Sequence, residues 1–337
     1  MYQNFTQIIE KKEAFEDILG QTHTKRQLLS ALISNRSIII VGPPGIGKTT
    51  LAKNVAKYLP ELELNDCDYN CDPKNPICPR CRANKSKKAN VKGEKRFIRI
   101  QGSPDLTVED LLGDIDPIKA LEFGPLSLEA FTPGKIFKAN NGVLFFDEVN
   151  RCPEKLQNAL LEILEEKKAT IGSYEIEFPA NFIFIGTMNP EDFSGTEKLS
   201  EVFIDRFDLI YMDYPESLEI ERKIVKTKSK NLSSVTFPED LLDLTLEFIR
   251  ELRKHKDIER YPSVRVSLGL YERAKANALI SKRTKVEMLD IQEAVISVVS
   301  HRIRLKPSAK YLISTVDFVK KNLKEYLESK EQRADFL

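Results

Sequence analysis

The run Ser37-Ile38-Ile39-Ile40-Val41 leads without a break into Gly42-Pro43-Pro44-Gly45-Ile46-Gly47-Lys48-Thr49, and Thr50-Leu51-Ala52-Lys53-Asn54-Val55-Ala56 then reads as helix. A buried strand, a glycine-rich turn and a helix in that order give this spacing its meaning as a phosphate cradle. Glycines let the backbone curl so that several N–H groups face phosphate oxygens, and the helix N-terminus adds the positive end of its dipole. Lys48 would reach the β- and γ-phosphates, and the Thr49 hydroxyl would bind Mg2+. A turn that only joins strand to helix leaves Lys-Thr at this offset unexplained. The expected nucleotide-binding set is Gly42, Pro43, Pro44, Gly45, Ile46, Gly47, Lys48, Thr49 and Thr50.

A chain of 337 residues has room for one large domain and a smaller one. Its 52 Lys and Arg balance 51 Asp and Glu, so bulk charge does not point to nucleic acid. No apolar run approaches the ~20 residues of a membrane span. Met1-Tyr2-Gln3-Asn4 has neither the basic start nor the apolar core of a secretory signal. Five cysteines beside a nucleotide site suggest a reducing cytosol, where clustered thiols bind metal more often than they pair. A soluble cytoplasmic protein is expected.

From about Phe15 to Tyr214 strands and helices alternate, the pattern of a mostly parallel sheet covered on both faces. The expected strands are Ser37–Val41, Phe97–Ile100, Gly142–Phe146, Asn181–Gly186 and Leu209–Met212. After Pro215 apolar residues recur at helical spacing through 216–229, 238–254, 264–281 and 287–303, which predicts an all-helical second domain. The expected domains are thus 1–214 and 215–305. A C-terminal amphipathic helix within 306–337 would carry Leu312, Val316, Val319, Leu323 and Leu327 on one stripe, packed on its own domain or on a neighbouring subunit.

Asp147-Glu148 ends an apolar strand about a hundred residues after the phosphate loop. There the Asp can complete a Mg2+ shell, while Glu148 polarises an in-line water as general base. Alone, an acidic pair at a strand end is an ordinary solvated turn; with Lys48 and Thr49 upstream it becomes specific. Asn189, in Thr187-Met188-Asn189-Pro190, could hold the attacking water or the γ-phosphate from the other side. Arg206, in Asp205-Arg206-Phe207, follows a helical stretch and precedes the fifth strand. An arginine offered to a neighbour's nucleotide stabilises the transferring phosphoryl group. Arg265 opens a helix, an electrostatically poor place for a cation unless it meets phosphate.

In their order these parts resemble an AAA+ ATPase. Gly20-Gln21, before the first helix, is similar to that superfamily's adenine-side motif. Within it, Gly142–Arg151 and Ile185–Pro190 resemble the branch of magnesium chelatase subunit I and the MoxR proteins. The resemblance spans roughly residues 15–305 and implies a parallel α/β nucleotide-binding domain followed by a smaller helical lid. It implies Lys48 and Thr49 as Walker A, Asp147 and Glu148 as Walker B, and Asn189 as sensor 1. Arg206 would be the trans finger and Arg265 sensor 2. It also implies a ring, usually of six subunits. Residues 113–134 match the insert that interrupts helix 2 in that branch, and 168–180, with a Gly172-Ser173 turn, its hairpin before sensor 1.

Cys67, Cys71, Cys78 and Cys81 form C-x3-C-x6-C-x2-C in a Pro/Asp/Asn-rich loop, part of an insertion at 66–96. Two thiolate pairs can close a tetrahedral site for which Zn2+ is the first candidate, ahead of free or redox-active thiols and an iron–sulfur cluster. The loop is poor in apolar residues, so a metal would supply its folding free energy. A full cysteine set departs from the family pattern. Cys152 reads as a small packing residue. Arg80–Arg96, with eight Lys/Arg and one Glu, reads as a solvated flexible tongue or a docking surface for an acidic partner or nucleic acid.

The expected function is Mg2+-dependent ATP hydrolysis at the subunit interfaces of a ring, used to remodel a partner protein or load it with metal or cofactor. By the resemblance the partner carries a von Willebrand A-type domain. The alternatives are a DNA-translocating helicase-like motor and a slowly hydrolysing nucleotide switch. The hairpin tip Gly172-Ser173-Tyr174 lacks the cations a DNA motor needs.

Overall fold

The computed structural model describes residues 5–6, 15–125, 127–166, 181–189, 199–230 and 232–334. The expected hairpin at 168–180 lies outside them. The chain divides into two compact units: one of Met1–Ile18, Thr22–Gly42 and Gly47–Met212, the other of Leu19–Gln21, Pro43–Ile46 and Asp213–Leu337.

The first unit is built on a five-stranded sheet: β1 Ile38–Val41, β2 Phe97–Gln101, β3 Val143–Asp147, β4 Ile183–Met188 and β5 Asp208–Tyr211. Their spatial order is β2-β3-β4-β1-β5 and every pairing is parallel. Helices cover such a sheet on both faces, so its strands read as continuous apolar runs rather than alternating ones. Accordingly all of β1, all of β4 and Val143–Phe146 are buried. Two strands end later than the sequence suggests. Thr187 and Met188 stay in β4 because Ile40 and Val41 still pair with them, and Asp147 stays in β3 opposite Gln101.

Two excursions leave this sheet. Leu62–Asn65 pairs antiparallel with Lys88–Val91, closing a hairpin around the cysteine loop. The reading of Arg80–Arg96 as a flexible tongue is therefore corrected for its second half. Arg96 is fully buried and donates to the Asn141 and Pro60 carbonyls, clamping the hairpin base against the turn before β3. The cysteine loop is also less polar in effect than its composition suggests, since Tyr69 and Ile77 join the core of this unit. The segment 113–134 forms a second antiparallel pair, Gly113–Ile115 with Phe131–Pro133, enclosing a short helix Pro117–Phe123.

The second unit carries helices α1 Leu218–Lys228, α2 Glu239–Leu252, α3 Val264–Ile280, α4 Met288–Val299 and α5 Thr315–Ala334. It is not all-helical: Ile258–Arg260 pairs antiparallel with Arg304–Leu305, burying Ile258 and Leu305. The expected C-terminal stripe is partly corrected. Leu312 precedes α5, so it falls out of helical phase and is 88% exposed, and Val316 is also exposed. Val319 and Leu323 bury as expected in this unit's own core, with Leu327 packed against it, and Phe318 joins them.

A buried ion network braces the start of α3. Glu221 of α1 is fully buried and accepts from Arg253 at 2.8 and 2.7 Å and from the Ser267 hydroxyl at 2.6 Å. Arg253 Nε also donates to the Pro262 carbonyl at 2.9 Å. Such a carboxylate is tolerated in the interior only because nearly every lone pair has a donor.

Candidate active site

In a parallel sheet, ligands bind where strands end and the chain turns back. In the first unit the C-terminal ends of β1, β3 and β4 emerge side by side. The turn after β1 begins tied to the sheet, Gly42 N–H donating to the Met188 carbonyl at 3.1 Å. Gly47, at φ 105°, then caps the helix Lys48–Lys57. Lys48 Nζ donates to the Gly42 carbonyl, so its ammonium is folded over the turn. Thr49 and Thr50 sit in that helix's first turn.

Opposite, Thr187 joins the Asp147 carboxylate to the Glu148 backbone just after β3. Its buried hydroxyl donates to Asp147 Oδ1 at 2.7 Å and accepts the Glu148 N–H at 2.9 Å. Glu148 has a left-handed backbone, φ 57°, uncommon for a residue with a side chain and of the kind that collects at functional sites. Its carboxylate accepts from Gln101 Nε2 at 3.1 Å and from Arg151 at 2.9 Å. Gly102 makes room for that turn: a Cβ there would lie 2.0 Å from the Glu148 carbonyl oxygen. Asn189 follows β4 directly and is buried. Gly42, Lys48, Thr49, Asp147, Glu148 and Asn189 thus share one edge of the sheet.

Four further expected residues belong to other elements. Arg206 follows the short helix Glu201–Ile204 and precedes β5, where it pairs with Glu165 and donates to the Val202 carbonyl at 3.0 Å. In the second unit, Gln21 is buried at φ 56° and donates to the Asp213 carbonyl at 2.6 Å, and Gly20 packs on Ile220. Also in that unit, Arg265 lies in the first turn of α3, its stem against Gly45. A Cβ on Gly45 would meet Arg265 Cγ at 2.9 Å and Ser263 Oγ at 3.0 Å, and Gly45 has φ +77°. That position admits glycine and little else.

The sulfurs of Cys67, Cys71, Cys78 and Cys81 all lie within 4.8 Å of one another, and all but Cys67 are buried. In this crowd the Cys67 thiol is pushed up by its hydrogen bond with Cys71 and by burial, and Cys78 by burial to about 11. Cys152 is buried in the same unit's core, and burial pushes its thiol up to about 12, the behaviour of an inert packing cysteine.

Sequence reasoning overlooked Thr187, Arg99, Gln101 and Arg151 as members of the site. Arg99 Nη2 donates to Asp147 Oδ2 at 2.5 Å and to Gln101 Oε1 at 3.0 Å. Polar residues in a strand otherwise apolar, Arg99 and Gln101 in Phe97-Ile98-Arg99-Ile100-Gln101, were the available signal.

The donor set fits a magnesium nucleotide. Thr49 and Asp147 offer hard oxygens of the type Mg2+ selects, and the positive-φ glycines leave a backbone cradle for phosphate. Mg2+ bound there would neutralise charge on the phosphoryl oxygens.

Comparison with known proteins agrees with this reading. Residues 14–70 match the family model "Magnesium chelatase, subunit ChlI", 81–209 match "ATPase family associated with various cellular activities (AAA)", and 250–321 match "AAA lid domain". Cys71 and Cys78 fall between the first two matches. The chain is 28% identical to a magnesium-chelatase subunit ChlI homolog of Methanocaldococcus jannaschii over 334 residues, covering 87% of this chain and 86% of that one. It is 29% identical over 328 residues to chloroplastic magnesium-chelatase subunit ChlI-2 of Arabidopsis thaliana, covering 87% and 76%. In fold it resembles a chain from the complex between subunits BchI and BchD of magnesium chelatase, with TM-score 0.50 and 20% identity, covering 89% of this chain and 98% of that one. No helix among the described residues is long and apolar enough to cross a membrane.

Proposed function

We propose, from the premise that this chain belongs to the AAA+ ATPases of the magnesium chelatase subunit I branch, that it is the motor subunit of a hexameric ring that remodels a separate partner protein. Hydrolysis of ATP is the activity of that family. The residues 1–214 act as the nucleotide-binding domain, 215–305 as a lid, and 306–337 as its C-terminal extension.

The assigned roles follow from position. Backbone N–H groups of 42–47 and Lys48 hold the phosphates, and Gly20-Gln21 the adenine side. Thr49 and Asp147 would ligate Mg2+. Glu148 takes a proton from water as the water oxygen attacks the γ-phosphorus and the bond to the ADP oxygen breaks. Asn189 orients the water or the γ-phosphate. Arg206 is donated to the neighbouring subunit's nucleotide, exchanging Glu165 for phosphate, and Arg265 reads the γ-phosphate from the lid. The ring partner is a separate protein, by analogy with the two-subunit complex named for the related chelatase chain, and by the family resemblance it carries a von Willebrand A-type domain. Its task is metal or cofactor loading in the manner of chelatase and MoxR proteins. The cofactor set is ATP with Mg2+, and Zn2+ at Cys67, Cys71, Cys78 and Cys81.

The observation that supports this most is the Thr187 hydroxyl seated between Asp147 and the Glu148 N–H. It holds the Asp147 carboxylate and the Glu148 backbone beside the phosphate turn, which suits the two residues to different work. Glu148→Gln tests the reading. ATP should bind as before while turnover falls by about 10²–10⁴-fold, and the trapped protein should retain its partner. Unchanged turnover would remove Glu148 from the mechanism, and turnover that rises steeply with DNA at low salt would favour the translocating motor.

A further inference from the structure

The cysteine loop is fastened to the turn that leads into β3. Asn140 Nδ2 donates to the Tyr69 carbonyl at 3.3 Å, Asn141 Nδ2 to the Asn70 carbonyl at 3.2 Å, and Asn70 Nδ2 to the Lys138 carbonyl at 2.6 Å. The Tyr69 ring packs on Phe137 at 5.8 Å between centroids. Cys71, Cys78 and Cys81 join the core of the same unit. The strand that starts at this turn, Val143–Asp147, carries its carboxylates at the far end. At about 3.3 Å per residue the cysteines and the phosphate turn stand at opposite ends of the sheet.

The spacing of the sulfurs selects the kind of centre. A tetrahedral ion with bonds near 2.3 Å puts its thiolates about 3.8 Å apart. Four sulfurs within 4.8 Å need only a small contraction to meet one ion. A polynuclear cluster holds its cysteines apart with several irons and sulfides, a wider arrangement than this one. The surroundings suit thiolates: Ile77 N–H donates to Cys71 Sγ at 3.3 Å and Cys71 N–H to Cys67 Sγ at 3.5 Å. Four thiolates around a divalent ion leave a double negative charge. The segment that supplies Cys78 and Cys81 also carries exposed Arg80, Arg82, Lys85, Lys87 and Lys88. That counter-charge gives the basic run a purpose that needs no partner.

We propose that the four thiolates hold a single Zn2+ that closes the 67–81 loop on itself and so fixes Tyr69 and Asn70, the residues that dock on the turn before β3, and that this ion serves stability and takes no part in phosphate chemistry. The inference deepens the zinc assignment and does not depend on the ATPase reading. The loop so shaped meets the rest of the unit through the asparagine bonds, Arg96 and the apolar side chains of Tyr69 and Ile77.

The test uses the full chain, purified without chelator. Elemental analysis should give one zinc per chain, and cobalt exchange the visible bands of a tetrahedral tetrathiolate. Stripping the zinc should lower Tm by at least about 10 °C. Affinity for a non-hydrolysable ATP analogue, measured well below that Tm, should stay within about twofold, since the sites lie a strand length apart. Cys152→Ser should keep its zinc, while Cys78→Ser should lose it. If Cys78→Ser fails to fold, the metal count and the chelation series on the natural chain decide alone. No bound metal, with four native thiols open to alkylation or two disulfides in their place, overturns the zinc assignment as a whole. Iron with acid-labile sulfide overturns the single ion. One zinc whose removal leaves Tm unchanged but shifts nucleotide affinity overturns the structural role and leaves the assignment standing.

Discussion

Arg99 Nη2 lies 2.5 Å from Asp147 Oδ2, an ion pair between residues on adjacent parallel strands. The carboxylate assigned to Mg2+ therefore already has a cation beside it. Arg99 is half exposed, so the pair is worth at most about 1 kcal/mol. Arg99→Ala should lower the Mg2+ concentration for half-maximal ATP turnover by up to about fivefold. A titration in which that concentration rises would make Arg99 an orienting group for Asp147 and not a competitor.

Thr187 is fully buried and bonds both acidic residues. Thr187→Val keeps the volume but leaves the Glu148 N–H without its acceptor, a loss of about 1–3 kcal/mol. Thermal unfolding should record that loss, and turnover should fall further than nucleotide affinity because the Glu148 turn is no longer fixed. Thr187→Ser should restore most of both. Equal behaviour of the Val and Ser variants would show that the hydroxyl does not matter.

Gly45 combines a positive φ with close contact to Arg265. Gly45→Ala adds about 1–3 kcal/mol of backbone strain and pushes the Arg265 stem aside. ATP affinity should weaken by at least about tenfold, whereas Arg265→Ala alone should lower turnover with a smaller effect on affinity. Calorimetric binding to both variants separates the two, and an unchanged Gly45→Ala affinity would contradict the cradle.

Arg96 is buried, donates to two backbone carbonyls, and has its pKa lowered by desolvation. Arg96→Met fills the space yet strands both acceptors, so stability should fall by about 2–5 kcal/mol in denaturant titration. Arg96→Lys, which reaches at most one carbonyl well, should recover only part. A neutral Arg96→Met would mean that water replaces the guanidinium.

Burial acts to raise the Asp290 carboxyl, but the Arg283 ion pair and the Glu287 N–H outweigh it and hold the group below its ordinary value. A depressed folded pKa contributes stability above the unfolded value of about 4, lost as pH falls through the folded one. The second unit should therefore lose stability below about pH 4, and Asp290→Asn should flatten that acid limb. An unaltered limb would assign the acid sensitivity to other carboxylates.

The chemistry of the site was legible where it is local. Gly42–Thr49 and Asp147-Glu148 announce themselves because a phosphate turn and a strand-end carboxylate pair need particular residues at fixed offsets. The strands were legible because burial on both faces leaves long apolar runs. Leu312 was misread because periodicity alone cannot show that α5 begins at Thr315. Arg96 was misread because a buried guanidinium and a solvated one look alike in a basic run. The short pair Ile258–Arg260 with Arg304–Leu305 escaped notice because two- and three-residue strands carry no usable period.

By itself the sequence determined the order of parts: a strand, a phosphate turn, a carboxylate pair, a polar residue after the next strand, and a helical second unit. Local propensity and burial pattern act over a few residues and need no partner to be read. Only the tertiary structure decided which polar groups meet. Thr187 bridges Asp147 and Glu148 across some 40 residues of chain, Arg99 reaches Asp147 across 48, and four cysteines converge on one point. Parallel strands are set side by side by the apolar groups they bury, and that register, absent from any short window of sequence, brings these side chains within bonding distance.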